Sequence, residues 1–238
     1  MTKQPVAVTP AEAQNASSVD AFLKKVNQLQ PARRTADGKG RLVFAMDATM
    51  SRQPTWDRAL SIQSEMFTAA GSAGSLEVQL VYFRGFRECR ASRWVQDAAS
   101  LANAMTKVDC RGGNTQIARV LSHAMAESKT APVSAVVFVG DAMEENVDEL
   151  CELAGRAGML GIPFFMFQEG NEAAATRAFK EIARLTRGAH FHLDQTSASI
   201  LKELLAAAAA YASGGRKALE RQASKGGAAA LLLKQLPA

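Results

Sequence analysis

The 238-residue sequence predicts an α/β fold: a doubly wound, mostly parallel six-stranded sheet with helices on both faces. Three observations carry this. From Arg41 onward, short apolar runs alternate with amphipathic stretches, the pattern of βα units. Runs such as 133–139 are apolar enough for strands covered on both faces. Gly71, Gly161 and Gly188 fall where one periodicity gives way to the next.

Residues 1–17 are small and polar, with Pro5 and Pro10, and read as a loose arm. Val19, Phe22, Leu23, Val26 and Leu29 recur at helical spacing, with Ser18 or Asp20 as caps. Pro31 ends that short helix, and 32–40 is a basic linker. The first strand covers 41–46. A helix is expected over about 54–70, with Trp56, Leu60, Gln63 and Phe67 on its inner face and Gly71 as its stop. Strands follow at 76–83 and, at an edge, near 86–91. Helices are expected near 96–106 and 116–128, then the most apolar strand, 133–140. The remaining elements are a helix at 147–159, a strand at 162–167, a helix at 172–187, a strand at 189–193 and a helix at 197–212. This divides the chain into an arm (1–40), one domain (41–212) and a basic, Leu-rich tail (213–238). Leu231, Leu232, Leu233 and Leu236 of the tail are expected to dock back on the domain, since exposed apolar patches are unfavourable.

The functional signal is an oxygen-rich set of residues from three loops. The first strand ends in Asp47-Ala48-Thr49-Met50-Ser51, a carboxylate and two hydroxyls in one turn. Gly112-Gly113-Asn114-Thr115 opens a helix, and Asp141 follows the strand 133–140. In an open α/β sheet, ligands collect beyond the carboxyl ends of the strands where strand order reverses. The first strand and the strand 133–140 are the natural neighbours there, so Asp47 and Asp141 are expected in one crevice. Asp47, Thr49, Ser51, Thr115 and Asp141 form an all-oxygen set suited to a hard divalent cation, Mg²⁺ with Mn²⁺ or Ca²⁺ as variants. Two carboxylates balance such an ion, and three hydroxyls add ligands without charge.

These three motifs, in this order, resemble the von Willebrand factor A (VWA) domain and its metal-ion-dependent adhesion site, D-x-S/T-x-S followed by a Thr and an Asp in later loops. The resemblance covers about residues 41–212, including Glu181-Ile182-Ala183-Arg184-Leu185-Thr186-Arg187-Gly188-Ala189. Thr49 stands where Ser is commoner, and its hydroxyl keeps the ligand. Among family members the chain looks most like bacterial cytoplasmic ones, such as tellurite-resistance proteins. The resemblance implies a binding module without catalysis. Its cation would take an acidic residue from a protein partner, such as an AAA+ ATPase or a stress-response complex.

A second reading is a haloacid-dehalogenase-like, Mg²⁺-dependent phosphotransferase with Asp47 as nucleophile and Gly140-Asp141-Ala142-Met143-Glu144-Glu145 as its late acidic motif. Thr49 then replaces the usual acid/base, Gly112–Thr115 is unexplained and no segment resembles a cap domain. No G-x-G-x-x-G follows the first strand, which argues against a dinucleotide enzyme.

The net charge of +5 is diffuse apart from Arg84, Arg87, Arg90 and Arg93 and the tail cations, so nucleic-acid binding is allowed but not demanded. Those arginines read as guards of an edge strand, with an RNA-associated VWA protein as the alternative. Cys89, Cys110 and Cys151 show no C-x-x-C pairing and read as reduced cysteines. His190 and His192 share a strand face but lack a third ligand. Glu144, Glu145, Asp148 and Glu149 read as the solvated start of a helix. With no apolar leader and no membrane-length run, a cytoplasmic location is expected.

Overall fold

The computed structural model describes residues 34–71, 75–193 and 198–223. The expected helix at 19–29 and the leucine cluster at 231–236 lie outside them. The described elements are β1 (Gly40–Asp47), a single 3-10 turn (Met50–Arg52), α1 (Gln53–Ile62), α2 (Ser64–Gly71), β2 (Leu76–Arg84), β3 (Glu88–Ala91), α3 (Ala98–Met105), α4 (Ile117–Thr130), β4 (Ala135–Gly140), α5 (Val147–Met159), β5 (Phe164–Glu169), α6 (Ala173–Leu185), β6 (Ala189–Leu193) and α7 (Ala198–Ala223).

The strands form one six-stranded sheet in the order β3-β2-β1-β4-β5-β6. All neighbours are parallel except β2 and β3. Strand order therefore reverses between β1 and β4, as the sequence predicts, and a crevice opens beyond their carboxyl ends. Every residue of β1, β4 and β5 is buried, which accounts for their near-continuous apolar sequences.

Alternate residues of β1 feed two separate cores. Leu42, Phe44 and Met46 face a cluster with α1, α2, α3 and α7, while Val43 and Ala45 face one with α4, α5 and α6. In the second core Phe138 stacks on Phe83 at 5.9 Å and meets Phe179 edge-on at 5.4 Å. Trp94 packs beneath the Arg41 guanidinium at 3.8 Å and donates to Glu127. Trp56 donates to the Met105 carbonyl and is also a packing residue.

Several element boundaries differ from the sequence expectation, mostly by a residue or two. The helix expected at 54–70 is two helices, broken at Gln63, whose side chain is buried. The edge strand starts at Glu88 because Gly85, at φ 60°, turns the chain first. The strand expected to stop at Phe167 continues through Gln168 and Glu169, polar residues buried against bonding partners. The last helical stretch continues past Ala212 to Ala223, interrupted at Gly215 with φ 65°. Its small side chains sit close to the sheet: a Cβ on Gly40 would lie 2.2 Å from the Ala212 carbonyl. Among the described residues no helix is long and apolar enough to cross a membrane.

Gly188 sets how closely α6 delivers the chain into β6. A Cβ there would lie 1.9 Å from the Phe164 carbonyl oxygen, a backbone atom that cannot step aside. Gly188→Ala is expected to cost about 3 kcal/mol of stability through overpacking. An unchanged urea midpoint with an unchanged m-value would contradict that packing.

Candidate metal centre

Asp47 is the last residue of β1 and only 2% exposed. The next peptide stays in the sheet's bonding scheme, with the Ala48 amide donating to the Phe83 carbonyl at 2.9 Å. The Thr49 amide then donates to Asp47 Oδ1 at 2.7 Å, curling the chain into the 3-10 turn. This brings Thr49 Oγ1 within 3.4 Å of Ser51 Oγ. One carboxylate and two hydroxyls thus face the crevice from a single turn.

The second loop is fixed by backbone contacts. The Arg111 amide donates to the Ala48 carbonyl, and the Asn114 amide to the Gly85 carbonyl. Gly113 makes this approach possible, because a Cβ there would lie 2.2 Å from Gly85 backbone atoms. The side chain of Gln116 ties the same loop to the carbonyls of Arg84 and Gly85. Thr115, 7% exposed, is held at the crevice wall.

The third loop follows β4 and is bonded to the second. The Glu144 amide donates to Thr115 Oγ1 at 3.1 Å, and the Thr115 amide donates back to Glu144 Oε2 at 3.2 Å. Glu145 accepts from the amides of Ile117 and Ala118, capping α4 from another loop. Burial pushes the Glu145 carboxyl upward, and those amide bonds oppose the shift. The Met143 amide donates to Glu172. Glu144 and Glu145 are therefore cross-links between loops, while Glu144, Asp148 and Glu149 also stay exposed around the start of α5, as the sequence predicts. Asn146 caps α5 instead, accepting from the amides of Asp148 and Glu149.

Asp47, Thr49, Ser51, Thr115 and Asp141 all line one cleft of about 230 Å³, together with Met50, Gly112, Gly113, Ala142 and Glu144. Burial raises the Asp47 pKa to about 6, Asp141 adds to the rise, and the Thr49 bonds and Arg52 oppose it.

Two charged residues join this site: Arg52, which the sequence places only on its rim, and Glu169, which carries no local signal. Arg52 places Nη2 2.9 Å from Asp141 Oδ2 and Nη1 2.6 Å from Glu169 Oε2. Glu169, 3% exposed, also accepts from Thr55 and from Arg58 at 3.3 Å. Glu169 ends β5, so strand end, turn and α1 are locked by one ionic network. Position in sequence gave no hint, since Arg52 and Glu169 lie 117 residues apart.

Other candidates have structural roles. His190 is bonded to Gln168 at 2.9 Å, and no three His, Cys, Asp or Glu side chains cluster as a metal site among the described residues. The crevice set differs in kind, with two carboxylates and three hydroxyls. Arg84 is buried and bonded to Glu88 and Asp109, so it is no edge guard and no exposed RNA contact. The three cysteines are unpaired, and burial raises each thiol.

No protein-family model matches this sequence, and no curated protein matches it. Solved structures do. A von Willebrand factor type A protein from Catenulispora acidiphila superposes at TM-score 0.60 with 16% identity, over 77% of this chain and 48% of that one. An aerotolerance-related membrane protein from Bacteroides fragilis NCTC 9343 gives 0.55 with 14% identity, over 71% of this chain and 98% of that one. The SpRpn10 VWA domain gives 0.55 with 14% identity, over 68% and 93%. The chain has the VWA fold, and it spans less than half of the first of these structures.

The folded Asp47 carboxyl binds its proton more tightly than an unfolded one, whose pKa is 3.8. Without a cation, stability therefore falls as pH rises from about 4 through about 6, by up to about 3 kcal/mol. Asp47→Asn is expected to melt higher than the wild type at pH 7 in metal-free buffer, with the gap closing at pH 4. Melting curves that keep the same gap at both pH values would contradict it.

Proposed function

We propose that this chain is a metal-dependent protein-interaction module, in which a divalent cation held by Asp47, Thr49, Ser51, Thr115 and Asp141 receives an acidic side chain of a partner protein. The observation that carries this reading is the convergence of all five side chains, from three loops, on one cleft. The donor set fits the ion. It is all oxygen, its two carboxylates match a double positive charge, and the hydroxyls keep the total near neutral. Burial at the strand end raises the Asp47 pKa to about 6, so a cation beside it would favour its charged form. Mg²⁺ is the ion we favour, with Mn²⁺ and Ca²⁺ as the variants to compare.

When bound, the cation would supply strong attraction for an anionic oxygen in a partly dry crevice. The chain's own residues do the rest. Asp47 and Asp141 fix the charge. Thr115, bonded to the Glu144 amide, ties the cleft wall to the loop that carries Asp141. Met50 lines the cleft and is 68% exposed, and Phe86, outside the cleft lining, is 81% exposed. Phe86 follows Gly85, whose backbone touches the Gly112–Thr115 loop. The partner feature we infer is an exposed Asp or Glu with apolar neighbours, on a protein such as an AAA+ ATPase or a stress-response complex. Thr49 stands where a phosphotransferase of this kind would carry its acid/base, so we assign no catalysis and expect background phosphoester hydrolysis.

Calorimetry is expected to show one Mg²⁺ or Mn²⁺ site in the wild type and none in Asp47→Ala, with both proteins folded. Equal affinities in the two proteins would remove the assignment. Pull-down from lysate is expected to recover partners that EDTA releases. Thr115→Ala is expected to weaken that recovery more than it weakens Mg²⁺ binding, and Phe86→Ala to weaken recovery alone. Partners that stay bound in EDTA would move recognition to another surface.

A further inference from the structure

The residue that the metal reading leaves unused is Arg52. It leads from the 3-10 turn into α1, just after the D-x-T-x-S motif, and its side chain is 11% exposed. Its donors point at the cation site. Nη2 is 2.9 Å from Asp141 Oδ2, and Nε is 3.4 Å from Ser51 Oγ. Two of the five candidate ligand groups are thus already in contact with a guanidinium. The third nitrogen, Nη1, is anchored 2.6 Å from Glu169 Oε2.

We propose that Arg52 is an internal competitor for the cation, which holds Asp141 in the cation-free protein and sets the affinity of the site low. The inference rests on the metal-binding reading and adds a residue to it. Arginine keeps its charge at any working pH, so the competition is permanent. Glu169 does not need Arg52 to balance its charge, because Arg58 and Thr55 also bond to it. The surplus positive charge falls on Asp141. A divalent ion approaching Asp141 therefore meets a like charge a few ångströms away and a ligand with one oxygen already engaged. The Glu169 anchor makes the device specific: it keeps the guanidinium beside Asp141 when Asp141 turns toward a cation. Arg52 is a positioning residue in this account, acting on the ion through Asp141 and Ser51.

The test is Mg²⁺ calorimetry in metal-free buffer at constant ionic strength. Wild type is compared with Arg52→Gln, Arg52→Lys and the double variant Arg52→Gln/Glu169→Gln, which removes the anchor's charge together with the arginine's. Removing one positive charge at this range is expected to tighten Mg²⁺ binding about tenfold or more in Arg52→Gln, and by less in the double variant, which also loses the negative charge of Glu169. Arg52→Lys, which keeps the charge, is expected to stay near the wild-type affinity. That pattern separates charge competition from support of the fold, which the lysine variant would also disturb. A direct readout in the wild type is the Arg52 Nε–Hε NMR signal, expected to shift as Mg²⁺ is added. Equal or weaker binding in folded Arg52→Gln and in the double variant, with wild-type Mg²⁺ binding intact, overturns the inference and leaves the metal reading standing. No Mg²⁺ binding by any of the proteins overturns both.

Discussion

The rest of the site depends on one constraint: a carboxylate buried at the end of the central strand. Asp47 is walled in by β2, β4 and the loop at Gly112–Thr115, with one of its oxygens bonded to the Thr49 amide. Burial alone disfavours its charge, and a second carboxylate, Asp141, stands on the same cleft. A sheet selected only for stability would place an apolar residue there. The structure retains the acid and surrounds it with hydroxyls, an arrangement that becomes favourable when a cation arrives.

The surrounding loops are organised to keep that acid in place. Two bonds from the backbone of Ala48, one to Phe83 and one from Arg111, fix how β1 leaves the sheet. Gly113 lets the second loop lie against Gly85, and the reciprocal Thr115–Glu144 bonds join the second loop to the third. Glu145 caps α4 from outside its own helix. On the far side, Arg52, Arg58 and Thr55 converge on Glu169. Loop, cap and ion pair together join the loops over the strand ends, with one apolar core on each face of the sheet. A change in the charge at Asp141 would be felt through Arg52 at Glu169 and at the start of α1.

The sheet was legible because each strand carries its own local signal. The apolar runs of β1, β4 and β5 and the helical periodicity between them depend on neighbours in sequence. That Asp47, Thr49, Ser51, Thr115 and Asp141 meet in one cleft was legible because they lie at strand ends or after a Gly-Gly pair. The ionic network of Arg52 with Asp141 and Glu169 was not, since the fold alone joins residues this far apart in sequence. Glu144 and Glu145 looked like the favourable start of α5, and only the packing of loops shows them serving α4 and its approach. Arg84 looked like an edge guard; its pairing with Glu88 and Asp109 buries it. The break at Gln63 ran against a continuous helical pattern, although that pattern did place Gln63 on the inner face where it is buried.

The central claim is that a divalent cation binds where these three loops meet. The most direct measurement is paramagnetic broadening of backbone amide signals on titration with Mn²⁺. The account predicts early, saturable loss of signal at Asp47–Ser51, Gly112–Thr115 and Asp141–Glu144, with the signals of α5, α6 and β6 retained. Broadening that begins elsewhere, or that is uniform over the surface, would contradict it.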